Sequence, residues 1–285
     1  MIESYSPEKI DAQRAGEWSE ASLSPERISQ LVEGLIPSED VRQGRQMGLH
    51  VVEGDQAASD IARYVEWTVF EEFFKNDIQV MREEYSKYDQ ASTFLLVLDY
   101  EQKKPVGVIR LIKPSEAGLK SLNDLISPTG PWNVDGHTAE DRLLEIGDQP
   151  DNTVDIATMG VMPEYRTNHA ADGASAALYS TCVWWSLENG YNQWITVVDQ
   201  KIYDMMQSWG EPFKKFDGAD WAPYLDSPKS LPVHTELFSG LERIRQFDIE
   251  MSRQTGQEID IHGLYTKGKG LEGQFVLPVF GSEVQ

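Results

Sequence analysis

The stretch TVDIATMGVMP, Thr153 to Pro163, constrains the fold of this chain more than any other. Val154 and Ile156 point to one side of an extended segment, and Ala157, Met159 and Val161 to the other, so both faces are apolar. A strand apolar on both faces needs cover on both and belongs at the centre of a sheet. Pro163 ends it, because proline cannot donate to a ladder. Asp155 breaks the pattern from within. Aspartate is depleted in strands and costly to bury without a partner, so this position carries either a satisfied structural carboxylate or a chemical task.

The residues beyond the strand add a second constraint. Arg166 and His169 lie in the loop YRTNHAAD, and the small residues Gly173, Ala174 and Ser175 open GASAALYSTCVWWSLENG. That segment reads as a helix, with Leu178, Cys182 and Trp185 on one face and Asn189-Gly190 as its stop. QWITVV (193–198) reads as another buried strand, KIYDMMQSW (201–209) as a helix stopped by Gly210, and PFKKF as the start of a strand. LPVHTELF (231–238) reads as a strand and GLERIRQFDIEMSRQ as a helix, and the alternation in EIDI and FVLPVF suggests a closing hairpin.

Before the central strand, SPERISQLVEGL has a Ser-Pro helix start with Ile28, Leu31 and Leu35 at helical spacing. GLHVVEG (48–54) reads as a short strand. SDIARYVEWTVFEEFF comes next as an amphipathic helix carrying Ile61, Val65, Val69 and Phe73 on one stripe. Two apolar runs, Phe94–Leu98 and Val106–Ile112, flank the polar turn EQKKP and form a hairpin. Residues 115–150 are rich in Gly, Pro and Asp and read as a long insertion or loop with one helical snippet.

Composition removes several classes of function. With 25 basic and 47 acidic side chains the formal charge is −22, a field that repels nucleic acid and anionic membrane surfaces. A phosphate-bearing ligand would then depend on local backbone N–H groups or a few placed cations. No apolar run approaches the roughly 18 residues of a membrane span, and the amino terminus lacks a secretory pattern. Cys182 is the single cysteine, which fits a reducing cytoplasm. His50, His137, His169, His234 and His262 are scattered without metal-ligand spacing, so no metal is expected. Gly268, Gly270 and Gly273 spell a glycine pattern without the surrounding strand–helix unit, and read as a turn.

A central strand ending in V-x-P-x-x-R, then a loop, then a helix opened by small residues resembles the GNAT N-acyltransferase superfamily. The resemblance implies an α/β (α+β) fold, with a mixed, mostly antiparallel central sheet flanked by helices and an amino-terminal helical extension. It divides the chain into the extension (1–46), an acyltransferase domain (47–255) and a carboxy-terminal hairpin or tail (256–285). Over residues 60–240 the pattern is similar to the acyl-homoserine-lactone synthases and the long-chain N-acyl amino acid synthases. Phe70, Asp89, Gly107 and Arg110 match that pattern, and Asp155 stands where those families have Glu. Glu66 and Thr158 stand where the lactone synthases have Arg, and Asn76 lies near the place of a Trp, which argues against lactone synthesis.

The roles that the resemblance implies are specific. Acyl-CoA would be a co-substrate, with no cofactor bound permanently. Its pantetheine arm would run along Met159–Val161, and its pyrophosphate would meet Arg166, His169 and the helix start at Gly173, Ala174 and Ser175. Asp155 would accept the proton of an amine or amino acid acceptor, with Arg110 and Asp89 on the acceptor side. Arg110 or backbone N–H groups could equally hold Asp155 in a structural role. The tyrosine that protonates the leaving thiolate in many GNAT enzymes lies four residues before the helix-ending glycine, which here is Met206, and Tyr203 is the nearest candidate. Partners are thus small molecules, with no nucleic acid and no membrane, and a homodimer is left open. An acyl-carrier-protein donor, or a catalytically degenerate ligand-binding module, are the competing readings.

Overall fold

The computed structural model describes residues 17–37, 46–134, 137–147, 149–166, 173–208, 210, 213–267 and 275–276. In chain order the elements begin with α1 (Pro25–Leu35), β1 (Met47–Glu53), α2 (Ser59–Phe74) and α3 (Ile78–Tyr85). Next come β2 (Ser92–Asp99), β3 (Lys104–Ile112), α4 (Lys120–Ile126), α5 (Ala139–Glu145), β4 (Thr153–Val161) and α6 (Ala174–Glu188). The last are β5 (Gln193–Asp199), α7 (Gln200–Ser208), β6 (Lys214–Lys215), β7 (Ala222–Tyr224), β8 (Ser227–Glu236), α8 (Leu237–Thr255), α9 (Ile261–Lys267) and β9 (Phe275–Val276). The strands belong to one mixed, mostly antiparallel sheet flanked by helices, the α/β architecture expected from the sequence.

One compact unit comprises Met1–Arg110, Thr158–Thr181 and Gly270–Val279. Here β1 pairs antiparallel with β2 from Met47↔Asp99 to Glu53↔Thr93, and β9 adds in parallel at Met47 and Gly48. Strand β2 is buried along its whole length, as a strand covered on both faces must be. The amphipathic helix α2 places Ile61, Val65 and Val69 in this core, together with Ile28, Leu31, Val32 and Leu35 of α1. The amino-terminal extension therefore packs into the same core through α1. Phe73 departs from its expected stripe: at 53% exposure it lies outside the core near the end of α2.

The second unit comprises Leu111–Ala157, Cys182–Lys269 and Phe280–Gln285. Its β5 pairs antiparallel with β8 over seven residues, and β6 and β7 pair with β8. Residues 115–150, read from sequence as a loop with one helical snippet, contain two short helices instead, α4 and α5. Leu122 and Leu125 of the first, its N-cap residue Leu119, and Leu143 of the second pack with Trp132, Ile195 and Phe216 in this unit's core. Helix α5 starts on a capping box, in which Thr138 and Asp141 satisfy each other's backbone N–H groups.

Two further expectations change. Strand β8 starts at Ser227, and Leu237 and Phe238 open α8, whose amino-terminal N–H groups are capped by Glu236. The hairpin read in the tail is absent among the described residues: Ile261 begins helix α9, and Phe275–Val276 pairs in parallel with β1. Among the described residues no helix is long and apolar enough to cross a membrane.

Candidate active site

Asp155 is fully buried, and both of its carboxyl oxygens are held by one residue. The Ser121 N–H donates to Oδ2 at 2.6 Å and the Ser121 hydroxyl to Oδ1 at 2.8 Å. The partner comes from α4, the helix that sequence patterning did not show. Its N-cap position is Leu119, which has no side chain able to cap, so the Asp155 carboxyl takes up a first-turn N–H instead. Burial pushes the Asp155 pKa up to about 7, against the lowering effect of the two Ser121 hydrogen bonds. A carboxyl with that pKa exchanges its proton near neutrality.

Asp155 is also the last rung of a short ladder. Strands β4 and β5 pair in parallel at Thr153↔Gln193, Val154↔Trp194 and Asp155↔Ile195. At the next position the Thr196 hydroxyl donates to the Ile156 carbonyl at 2.7 Å, so a side chain stands where a ladder bond would continue. Ile156 and Ala157, expected to be fully covered, are half-buried there. Thr153–Ala157 thus carries a neutral-range carboxyl at the end of the β4–β5 ladder, beside half-buried strand residues.

Farther along β4, Met159 is half-buried and Val161 buried. Gly160 is tightly packed: a Cβ there would meet the Val69 side chain of α2 at 3.2 Å. Arg166 leaves the next turn with its Nε donating to the Val161 carbonyl at 2.8 Å and its Nη2 to Glu72 at 3.1 Å. Its guanidinium also lies 4.3 Å from the centre of the Phe73 ring, a cation–π contact at the end of α2. The cation expected to meet phosphate is therefore placed on β4's outgoing turn and is already tied to a carboxylate. His169 lies outside the described residues, whereas Gly173 precedes α6 with φ 151°, and Ala174 and Ser175 begin that helix.

Arg110 does something other than expected. Asp155's oxygens are satisfied by Ser121, and Arg110 instead binds Glu66 through Nε (2.8 Å) and Nη2 (2.6 Å) and Asp89 through Nη1 (2.9 Å). Burial alone would lower its pKa, but the Glu66 charge and hydrogen bond, then those of Asp89, hold it above its ordinary value. The Thr158 hydroxyl also donates to Glu66. So Glu66 and Thr158, two of the three positions that depart from the lactone-synthase pattern, are joined in a single buried cluster with Arg110. Arg63 extends it to Asp60 and Asp89, and the Trp18 indole N–H donates to Asp89 at 3.1 Å.

Tyr203 is half-buried on α7, with its ring edge-on to Trp221 at 5.4 Å. Met206, one turn later, is buried. Cys182 is fully buried and its thiol is pushed well above the usual range, the state of an inert core thiol. Sequence patterning missed Ser121, Glu66 and Glu72 as partners because they lie 34, 44 and 94 positions from the residues they contact. The one available signal was Lys120…Asp124, an i,i+4 ion pair that marks a helix inside the presumed loop. Among the described residues no group of three or more His, Cys, Asp or Glu side chains is placed to hold a metal ion.

No family model and no curated protein matches this sequence. Solved structures do match the fold. FeeM, an N-acyl amino acid synthase from uncultured soil microbes, aligns over 72% of this chain and 98% of its own, with a TM-score of 0.51 and 13% identity. BjaI, a CoA-dependent acyl-homoserine lactone synthase solved with SAM and isopentyl-CoA, aligns over 84% of this chain and 95% of its own, at a TM-score of 0.41 and 12% identity. A spermidine N-acetyltransferase chimera from Vibrio cholerae covers 69% of this chain and 99% of its own, at a TM-score of 0.39 and 13% identity. The chain has a GNAT-like fold, close to the form found in the N-acyl amino acid synthase.

Proposed function

We propose that this protein transfers an acyl group from acyl-CoA to the amino group of an amino acid or other small amine, with Asp155 as the general base. The observation that carries the reading is a buried carboxyl with a pKa near 7 at the last rung of the β4–β5 ladder, in an acyltransferase fold. An amine is protonated at neutral pH and attacks a thioester only after losing its proton. A carboxyl raised into that range accepts the proton where an ordinary aspartate, with a pKa near 4, would be too weak a base.

In the proposed reaction the amine proton passes to Asp155 and the freed lone pair attacks the thioester carbonyl. The carbon–sulfur bond then breaks while the nitrogen gives up its second proton, which replaces the one delivered to the departing sulfur, giving the amide and the CoA thiol. Backbone N–H groups of Met159–Val161 would polarise the carbonyl, and Arg166 would meet the CoA phosphates. Tyr203 is the candidate donor of the thiolate's proton. Arg110 and Asp89 are assigned to the acceptor side through the cluster that fixes Glu66 and Thr158 rather than as a free carboxylate clamp. The formal charge of −22 disfavours docking of an acidic carrier protein, whereas a CoA ester, though anionic, needs only local backbone N–H groups and a few placed cations.

The test is a panel of amino acids and polyamines incubated with acetyl-, octanoyl- and palmitoyl-CoA, with free thiol and amide product measured. At least one pair should give amine-dependent thiol release. Arg166→Ala should raise the acyl-CoA concentration needed for half-maximal rate by about tenfold or more, the effect of one charge-assisted hydrogen bond. Thiol release from no donor with any amine would reject the reading.

A further inference from the structure

We propose that helix α4 is the positioning element of the Asp155 carboxyl: Ser121 fixes its geometry, and the Lys120–Asp124–Tyr224 cluster sets the charge it faces. This rests on the reading of Asp155 as the base. The cluster itself is a matter of geometry. Lys120 is only 3% exposed, and its ammonium donates to Asp124 Oδ2 at 2.8 Å and to the Tyr224 hydroxyl at 2.6 Å. The Tyr224 hydroxyl donates in turn to the same Asp124 oxygen, closing a three-membered ring of hydrogen bonds.

A buried lysine is costly to keep charged, and its position is informative. Lys120 and Asp124 flank Ser121 on one short helix, and β7 supplies Tyr224 to them. On β5 the residue paired with Asp155 is Ile195, which is apolar. The charged groups that act on Asp155 are Asp124 and Lys120, both on α4. Asp124 works to raise its pKa and Lys120 to lower it, behind the two Ser121 hydrogen bonds that also lower it.

Those opposite signs separate tuning from mere bracing. Asp124→Asn and Lys120→Gln break the same ion pair, so a purely structural cluster would respond alike to both. Charge tuning requires opposite responses. In the full-length protein the Asp155 carboxyl is followed by its ¹³C shift against pH, alongside the pH–rate profile for the best donor–acceptor pair. Asp124→Asn should move the Asp155 titration and the acidic limb of the profile down, on the order of one pH unit. Lys120→Gln should move both up. Ser121→Ala should also move both up and lower kcat while leaving acyl-CoA affinity unchanged, and Ser121→Thr, which keeps the hydroxyl, should restore them.

If Lys120→Gln does not fold, Asp124→Asn and the Ser121 pair decide alone. An Asp155 titration that stays put or rises in Asp124→Asn overturns the proposal, as does failure of Ser121→Thr to restore what Ser121→Ala loses. Titration shifts in the stated directions with no change in turnover would support the positioning role of α4 and instead remove Asp155 from the chemistry, so the two readings fail separately.

Discussion

At the scale of single residues, Asp155 concentrates the cost and the use of the site. Its folded-state pKa of about 7 stands above the roughly 3.9 of an exposed aspartate. Between those values the folded state binds more protons than the unfolded one, so stability falls as pH rises. Below pH about 4 the group costs nothing, and above about 7 the full penalty is present, on the order of 4 kcal/mol at 1.36 kcal/mol per pKa unit. Asp155→Asn removes this ionisation. Its melting temperature should lose less than the wild type's between pH 5 and 8, measured in one buffer series at constant ionic strength. Parallel melting curves for the two proteins would mean that the carboxyl is already ionised at pH 5 in the fold. Arg110 shows the opposite solution to burial: two carboxylates keep it charged, with the Tyr85 and Phe94 rings at 4.9 and 4.6 Å from its guanidinium.

At the scale of elements, Gly107 shows how closely the central strands are fitted. A Cβ at Gly107 would stand 3.0 Å from the Gly160 carbonyl oxygen, 3.1 Å from Leu178 Cδ1 and 3.2 Å from Val161 Cγ2. One of those neighbours is the backbone of β4, which cannot swing aside. Gly107→Ala should therefore destabilise the protein by about 1–3 kcal/mol, the usual cost of overfilling a packed core, read as a lower denaturation midpoint with unchanged m-value. An unchanged midpoint would show that β4 can yield. The long periodic elements were legible from sequence for physical reasons: α2 repeats Ile61, Val65 and Val69 on one stripe, and β4 and β5 are apolar runs closed by turn residues. Helices α4 and α5 were not, because seven residues carry two turns at most, too few for periodicity to rise above their Gly- and Pro-rich flanks. The tail misled for a related reason, since alternation over four residues of EIDI also fits a turn leading into a helix. Asp155 could be singled out from its strand alone, but its partner could not: Ser121 becomes visible only once α4 is folded onto the start of β4.

At the scale of the whole molecule, a GNAT-like fold carries a buried carboxyl that titrates near neutrality, and the proposed acyl transfer comes from joining those two facts. In that proposal strand β4 would hold the donor and the Asp155 carboxyl would deprotonate the amine. Neither alone makes a catalyst. The most direct test is the turnover of Asp155→Asn with the best acyl-CoA and amine, measured on protein shown to be folded and to bind acyl-CoA as the wild type does. Loss of the proton acceptor should lower kcat by about 10²–10⁴ and flatten the acidic limb of the pH–rate profile. A folded, donor-binding Asp155→Asn protein with wild-type turnover and pH dependence would contradict the account.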